Sequence, residues 1–247
     1  MSRVAWALVL AAAAACAEEP AAWTPTLQRD LLARAASSGA LERVLGVRGF
    51  QDPERGEALL LRGERDGHTL RATFELRSVG AMREERLVLQ SELSLETGAF
   101  TRLRFLLVRG KQRVSGTATV QGEALVGEVR QGDEAEPFER PWDPSAQPLS
   151  WVLAFLAPLK DPTLPALLRG RIYHGVEQAL APEPATLRFA AAELALEGAL
   201  PGERVAKAGL DAEGRLAWIE LGDGGRALPL PAAEVERLVA AQPVSLE

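Results

Sequence analysis

The centre of the chain, between residues 57 and 131, alternates between apolar and polar side chains. One run of alternate apolar positions is Leu70, Ala72, Phe74 and Leu76. Similar runs follow from Leu87 to Leu95 and from Leu103 to Leu107. A period of two is that of a strand with one face in the core and one face in water. Glycine-containing turns separate the runs, so the pattern predicts five or six antiparallel strands that pair with their sequence neighbours.

Strand patterns return after Gly170. The predicted strands are Arg171–Tyr173, Ala185–Ala191, Glu193–Glu197, Glu203–Leu210 and Arg215–Leu221. Asp211-Ala212-Glu213-Gly214 separates the last two, and its glycine can adopt the positive φ that a tight hairpin requires. This second group therefore predicts a further antiparallel unit.

Helical spacing appears at three places. Leucines between Trp23 and Val47 recur every three or four residues, which predicts one or two short helices there. Leu149 to Leu159 is apolar on nearly every side, as a helix buried against the sheet would be. Ala232 to Gln242 follows two prolines and carries one apolar face, so it predicts a closing helix.

These elements predict a mainly β protein: a curved, half-barrel-like antiparallel sheet with a few accessory helices packed on it. The expected organisation has three parts. Residues 1–15 form a cleaved export signal, and residues 16–56 form an N-terminal helical segment. Residues 57–247 form the antiparallel β domain, with its buried helix near 149–159 and its C-terminal helix near 232–242.

The first residues have the pattern of a bacterial export leader. Arg3 precedes an apolar stretch of about a dozen residues, and a membrane-spanning helix needs about twenty. The only cysteine of the chain, Cys16, ends this stretch. Ala13-Ala14-Ala15-Cys16 resembles a lipobox, which would make Cys16 the acylated first residue of a lipoprotein. An ordinary signal peptidase could instead cut after Ala17 and discard Cys16.

The charge balance limits the partners. The chain has 28 basic and 34 acidic residues, for a formal net charge of −6. Nucleic acid binding requires concentrated Lys and Arg, so no nucleic acid partner is expected. The same balance disfavours docking on anionic lipid, and membrane association is expected only through an anchor at Cys16.

Residues with catalytic or metal-binding chemistry are scarce. His68 and His174 are isolated from other metal-ligating residues in the sequence, and each is interpreted as a structural histidine. Asp211 and Glu213 are the acid and base pair one could nominate, but they flank a hairpin glycine, where carboxylates are ordinarily solvated. No nucleophile elbow or phosphate-binding loop occurs. The sequence therefore predicts a non-enzymatic protein without metal or cofactor.

Aromatic residues mark the candidate pocket. Trp151, Phe155, Tyr173 and Trp218 would line an apolar space if the curved sheet and the 149–159 helix enclose one. The alternative is that these large side chains simply fill the core.

The order of elements resembles that of the lipoprotein-localisation-factor superfamily and related periplasmic proteins. The resemblance depends on the leader, the long meander, the intervening apolar helix and the closing hairpin Leu210 to Leu216. Proteins of that superfamily hold helices on the concave face of a curved sheet. The resemblance implies an acyl chain as ligand and identifies no functional residue.

Together these patterns predict an exported envelope protein, in the periplasm or anchored to the outer membrane through Cys16. Its expected ligand is an apolar small molecule or lipid, such as an acyl chain. One alternative is a structural or interaction module that pairs with an envelope protein through its outer face or an edge strand. Another is a hydrolase with a dispersed site.

Overall fold

A computed structural model describes residues 21–78, 85–156, 159, 167–173, 183–190, 193–200, 204–213, 215–221 and 225–241. The leader, Cys16 and His174 lie outside these residues. Among the described residues, no helix is both long enough and apolar enough to cross a membrane.

The fold is mainly β, as predicted. The strands are β1 (Ala21–Ala22), β2 (Gly46–Asp52), β3 (Glu57–Asp66), β4 (Thr69–Ser78), β5 (Glu85–Ser94), β6 (Phe100–Arg109), β7 (Gln112–Gln121), β8 (Ala124–Gln131), β9 (Glu134–Pro141), β10 (Ala146–Pro148), β11 (Leu167–Tyr173), β12 (Glu183–Ala190), β13 (Glu193–Leu200), β14 (Arg204–Leu210), β15 (Leu216–Leu221) and β16 (Arg226–Pro229). The helices are α1 (Pro25–Ser37), α2 (Ala40–Val44), α3 (Leu149–Trp151), which continues as a π-helical segment (Val152–Leu156), and α4 (Ala232–Ala241).

Two antiparallel meanders join into one sheet. The first runs from β2 to β9 and the second from β11 to β16, and the described strands do not close on themselves. The junction is the pairing of β16 with β2, where Pro229 lies opposite Phe50. β1 and β10 each add to β11 in parallel. The predicted meander of five or six strands over residues 57–131 is confirmed as β3 to β8.

The inner face of the sheet carries the main core. Leu61, Phe74 and Leu89 lie side by side on β3, β4 and β5, because cross-strand partners point to the same face. Trp151 and Phe155 cover this face and are almost completely buried, with 1% and 0% exposure. Residues 149–155 are buried on this face, in agreement with the predicted buried helix, although Val152–Leu156 is π-helical.

Helix α1 also lies on the inner face. Thr24 caps it by accepting a hydrogen bond from the Leu27 amide, and Pro25 occupies its first turn. Gln28 is buried, accepts from the Trp23 indole at 2.7 Å and donates to the Gly98 carbonyl at 2.8 Å. These bonds attach the N-terminal helix to the turn between β5 and β6.

The outer face carries a smaller buried cluster beneath α4. Leu60 and Val235 are buried there, on the opposite face from Leu61. Beside them the buried carboxylate of Glu75 accepts hydrogen bonds from Arg77 and from Arg86, the latter at 2.6 Å. Arg77 also donates to the Leu238 carbonyl of α4 at 2.7 Å. The ionic cluster of Glu75, Arg77 and Arg86 therefore supports α4.

Candidate functional site

A cleft lies where the sheet loses a strand. β16 is only four residues long and separates β2 from β15. Its pairings to these strands end at Pro229 on the β2 side and at Ala227 on the β15 side. Beyond Pro229 no described strand lies between residues 46–49 of β2 and residues 216–218 of β15. Two strand spacings amount to roughly 10 Å, which is wide enough to admit a ligand.

The cleft has a volume of about 1050 Å³. Much of its wall is apolar and comes from α2, β2, β15, the residues around the end of β16, and α4. Representative wall residues are Val47, Leu216, Pro229, Leu230, Val235 and Val239. Ligand pockets commonly occupy several hundred to about 1,000 Å³ and are mostly apolar with a few polar groups. The cleft meets both conditions.

Close packing at Gly49 sets the outer wall. A Cβ atom at this position would lie 2.6 Å from Cγ2 of Val235, so glycine allows α4 to lie directly against β2. The Leu230 amide also donates to the Gly49 carbonyl at 2.8 Å, which fixes the chain just before α4. Helix α4 is thereby held over one side of the cleft.

Arg48 is a half-buried cation of the cleft, and its Nε is fully buried. It lies opposite Leu61 in the β2–β3 pairing and so belongs to the inner face. Its Nη2 donates to the Ala154 carbonyl at 2.5 Å and, more weakly, to the Val44 carbonyl at 3.5 Å. Its Nε is buried without a hydrogen-bond partner, and no ion pair joins Arg48 to a carboxylate among the described residues.

Burial lowers the pKa of Arg48 to about 10. The guanidinium is still charged at neutral pH, because that pKa lies well above 7. A buried charge is costly unless a counter-charge or hydrogen bonds compensate it. Two neutral carbonyls therefore give Arg48 only partial compensation.

The acidic residues of the cleft rim are already engaged. Asp211 accepts from the Arg215 amide and from its Nε, each at 2.8 Å, and Arg215 also contacts Glu213 at 3.0 Å. The backbone hydrogen bond from Arg215 is the largest cause that lowers the pKa of Asp211. Asp211 is therefore a carboxylate at neutral pH and not a proton donor. This geometry agrees with the interpretation of Asp211 and Glu213 as hairpin carboxylates.

Two of the sequence-predicted pocket residues, Trp151 and Phe155, lie in the inner core. The rings of Trp151 and Phe155 stack at 4.8 Å, and Phe100 meets Trp151 edge-on at 5.9 Å. These two residues fill the inner core and do not line the cleft. The side chain of Tyr173 lies outside the described residues.

Trp218 lies apart from that aromatic core. Its indole covers Gly209 on the neighbouring strand β14, where a Cβ atom would lie 2.0 Å from Nε1. The guanidinium carbon of Arg226 lies 4.2 Å from the ring centroid, within the range of a cation–π contact. Trp218 is half-buried and has a packing role here.

His68 lies on the surface. Its side chain is 79% exposed, and its Nδ1 lies 3.5 Å from the Glu96 carboxylate. Among the described residues there is no group of three or more metal-ligating side chains.

The edge strand β9 was not predicted, and it bears on the interaction-module alternative. Seven of its eight residues are exposed, and Pro137 lies within it. Glu134, Glu136 and Glu139 add negative charge along the same strand. Proline and charged side chains are the usual means by which an edge strand avoids pairing with another chain.

Sequence reasoning missed the cleft, although Arg48 offered a signal. Alternation in Val47-Arg48-Gly49-Phe50 places Arg48 and Phe50 on one face of a strand. Phe50 is buried, so Arg48 carries a charge toward the core side. These residues fall within the predicted N-terminal helical segment 16–56, so that prediction misses strand β2.

The fold and site together define a mainly β protein with an apolar cleft at a break in its sheet. No protein-family model matches the chain, and a search of curated proteins finds no match.

Among solved structures, the chain is similar to the crystal structure of a DUF1089 family protein from Pseudomonas aeruginosa. The two are 12% identical in sequence, the similarity covers 66% of this chain and 88% of that chain, and the TM-score is 0.37. The comparisons do not support the lipoprotein-localisation-factor superfamily specifically.

Proposed function

We propose that this chain is an exported, non-enzymatic envelope protein that holds an apolar ligand, such as an acyl chain, in the cleft between β2 and β15. The observation that carries the proposal is the cleft itself, about 1050 Å³ in volume and walled mainly by apolar side chains. Binding of an apolar ligand in such a cleft is favourable, because it removes the apolar surface of the ligand from water.

A binding role suits the side chains of this cleft better than a catalytic role. Its described lining includes no serine, cysteine or histidine that would serve as nucleophile or general base. Its rim carboxylates Asp211 and Glu213 are paired with Arg215. The charged groups can orient a ligand, and the apolar wall supplies the affinity.

Binding is tested with tetradecanol, an uncharged probe with a long alkyl chain. Isothermal titration calorimetry of the purified protein should show binding, and Val239→Trp, which fills the cleft from α4, should weaken it at least tenfold. The matched control is Leu228→Trp, because Leu228 is 53% exposed on β16 and is not part of the cleft wall. Binding that is absent in the unmodified protein, or unchanged in Val239→Trp, would contradict the proposal.

Export is supported by the leader-like sequence and is tested separately. Acylation at Cys16 predicts a membrane-associated protein whose mature mass includes the lipid, and Cys16→Ala should release it. Cleavage after Ala17 predicts a periplasmic protein with the same mature mass in both variants. Retention of the whole leader on a cytoplasmic product would overturn the export proposal and leave the cleft proposal intact.

A further inference from the structure

The cleft joins an apolar wall to a half-buried arginine. Arg48 lines the cleft together with Leu216, Val235 and Val239. An uncharged apolar ligand would contact the apolar wall, but Arg48 would still be hydrogen-bonded only to the neutral carbonyls of Val44 and Ala154. An amphipathic ligand could use both features.

The neighbouring carboxylates do not supply the missing counter-charge. Asp211 and Glu213 face Arg215 at 2.8 and 3.0 Å. Glu42, on the same helix as Val44, pairs with Arg65 at 3.4 Å. Glu236 lies in the lining on α4, but no ion pair connects it to Arg48 among the described residues.

A second cation is present beside Arg48. Arg43 lies on α2 and also lines the cleft, with an exposed side chain. The hairpin residues Asp211, Glu213 and Arg215 together carry one negative charge, and Glu236 carries another. Because the carboxylates of the hairpin are paired locally and Arg43 is exposed, Arg48 supplies the least exposed positive charge that a ligand in the cleft would meet.

We infer that the ligand is an amphipathic anion whose carboxylate or phosphate head pairs with the Arg48 guanidinium while its alkyl chain lies along Leu216, Val235 and Val239. This inference rests on the proposed function, because it assigns the ligand of the same cleft. A guanidinium binds carboxylate and phosphate with charge-assisted hydrogen bonds, which are stronger than neutral ones. The head group would supply the counter-charge that the described protein residues do not.

The test compares three ligands with the same alkyl chain, namely tetradecanoic acid, tetradecyl phosphate and tetradecanol, each at a concentration below its solubility limit or critical micelle concentration. At least one of the two anions should bind about tenfold more tightly than the alcohol, as expected for one charge-assisted contact. The tighter anion identifies the class of head group. Equal affinity of all three ligands would overturn the inference while preserving the proposed function, and no binding of any would remove both.

Variants locate the head group. Arg48→Met keeps an extended side chain without the charge and should abolish the preference, so that the anion and tetradecanol bind this variant with similar affinity. Arg43→Met is the matched control, because it removes the exposed arginine of the same cleft, and it should retain most of the preference. A preference that persists in Arg48→Met would overturn the assignment.

A second variant covers the case in which Arg48→Met does not fold. Arg48→Gln keeps a polar amide near the position of the arginine Nε but removes the charge. It should give the same loss of anion preference. Retention of the full preference in a folded Arg48→Gln protein would count against the inference.

Discussion

The inner core around Trp151 and the cleft between β2 and β15 are built from similar apolar side chains, yet the first is filled and the second is open. The core is filled because the 149–156 segment lies across β3, β4 and β5 and places large rings between them. The cleft is open because β16 ends at Pro229, before it can occupy the space beside the start of β2. The presence of the cleft therefore depends more on the short length of β16 than on the type of side chains that surround it.

The largest expected effect is in the filled region. Trp151→Ala should lower the free energy of unfolding by about 3 to 5 kcal/mol, because it leaves a cavity beneath Phe100 and Phe155. Urea unfolding monitored by circular dichroism measures it. The cleft control is Val47→Ala, at a residue 37% exposed, which should cost less than about 1 kcal/mol. Equal costs at the two positions would remove the distinction between filled core and open cleft.

The second largest effect on stability is expected at the ionic cluster of Glu75, Arg77 and Arg86, which supports α4 on the outer face. Glu75→Leu should destabilise the protein by roughly 3 kcal/mol, because it removes the buried carboxylate that Arg77 and Arg86 contact. Arg77 also binds the Leu238 carbonyl, so amide exchange in α4 should accelerate in this variant. Unchanged protection of α4 would show that the ionic cluster does not hold the helix.

A smaller effect is expected where α4 meets β2. Gly49→Ala should cost about 1 to 2 kcal/mol, because its Cβ would lie 2.6 Å from Val235. Val235→Ala should relieve that clash, so the double variant should be more stable than the sum of the two single costs predicts. Strict additivity in the double-mutant cycle would argue against this close contact.

The smallest effect is a dependence on pH. The pKa of Arg48 is lowered to about 10 in the folded protein, below the value of an unfolded arginine. The charged side chain therefore destabilises the fold at all pH values below 10, and this cost declines as pH rises through 10. Relative to Arg48→Met, the native protein should gain roughly 1 kcal/mol between pH 9 and 10.5. A difference between the two proteins that stays constant over this range would contradict the buried position of Arg48.

The sequence predicts the meander because its strands are half-buried and alternate cleanly. Leu70 to Leu76 on β4 show this well, since the even positions all point to the inner face. The same pattern does not predict β9, because nearly every side chain of this strand is exposed and its apolar residues do not alternate with polar ones. The alternation of apolar and polar residues arises because one face of a strand is buried. A strand that is exposed on both faces therefore cannot be recognised by this alternation.

The site was less predictable than the fold. Large aromatic residues drew attention to Trp151 and Phe155, but such residues are also the ones that fill a core. The cleft depends on the pairing of β16 with β2, and therefore on two segments near opposite ends of the described chain. No periodicity in either segment specifies that partner, and none specifies where the pairing stops.

The pairing of β16 with β2 also sets an order of events during biogenesis. Residues 40–50 supply one wall of the cleft, and residues 211–240 supply the other. A polypeptide that is made and threaded across a membrane with its N-terminus leading has its first wall long before its second. Under the proposed function, a ligand can therefore bind only after nearly the whole chain has been made and folded, and under the proposed export this happens in the compartment that receives the protein.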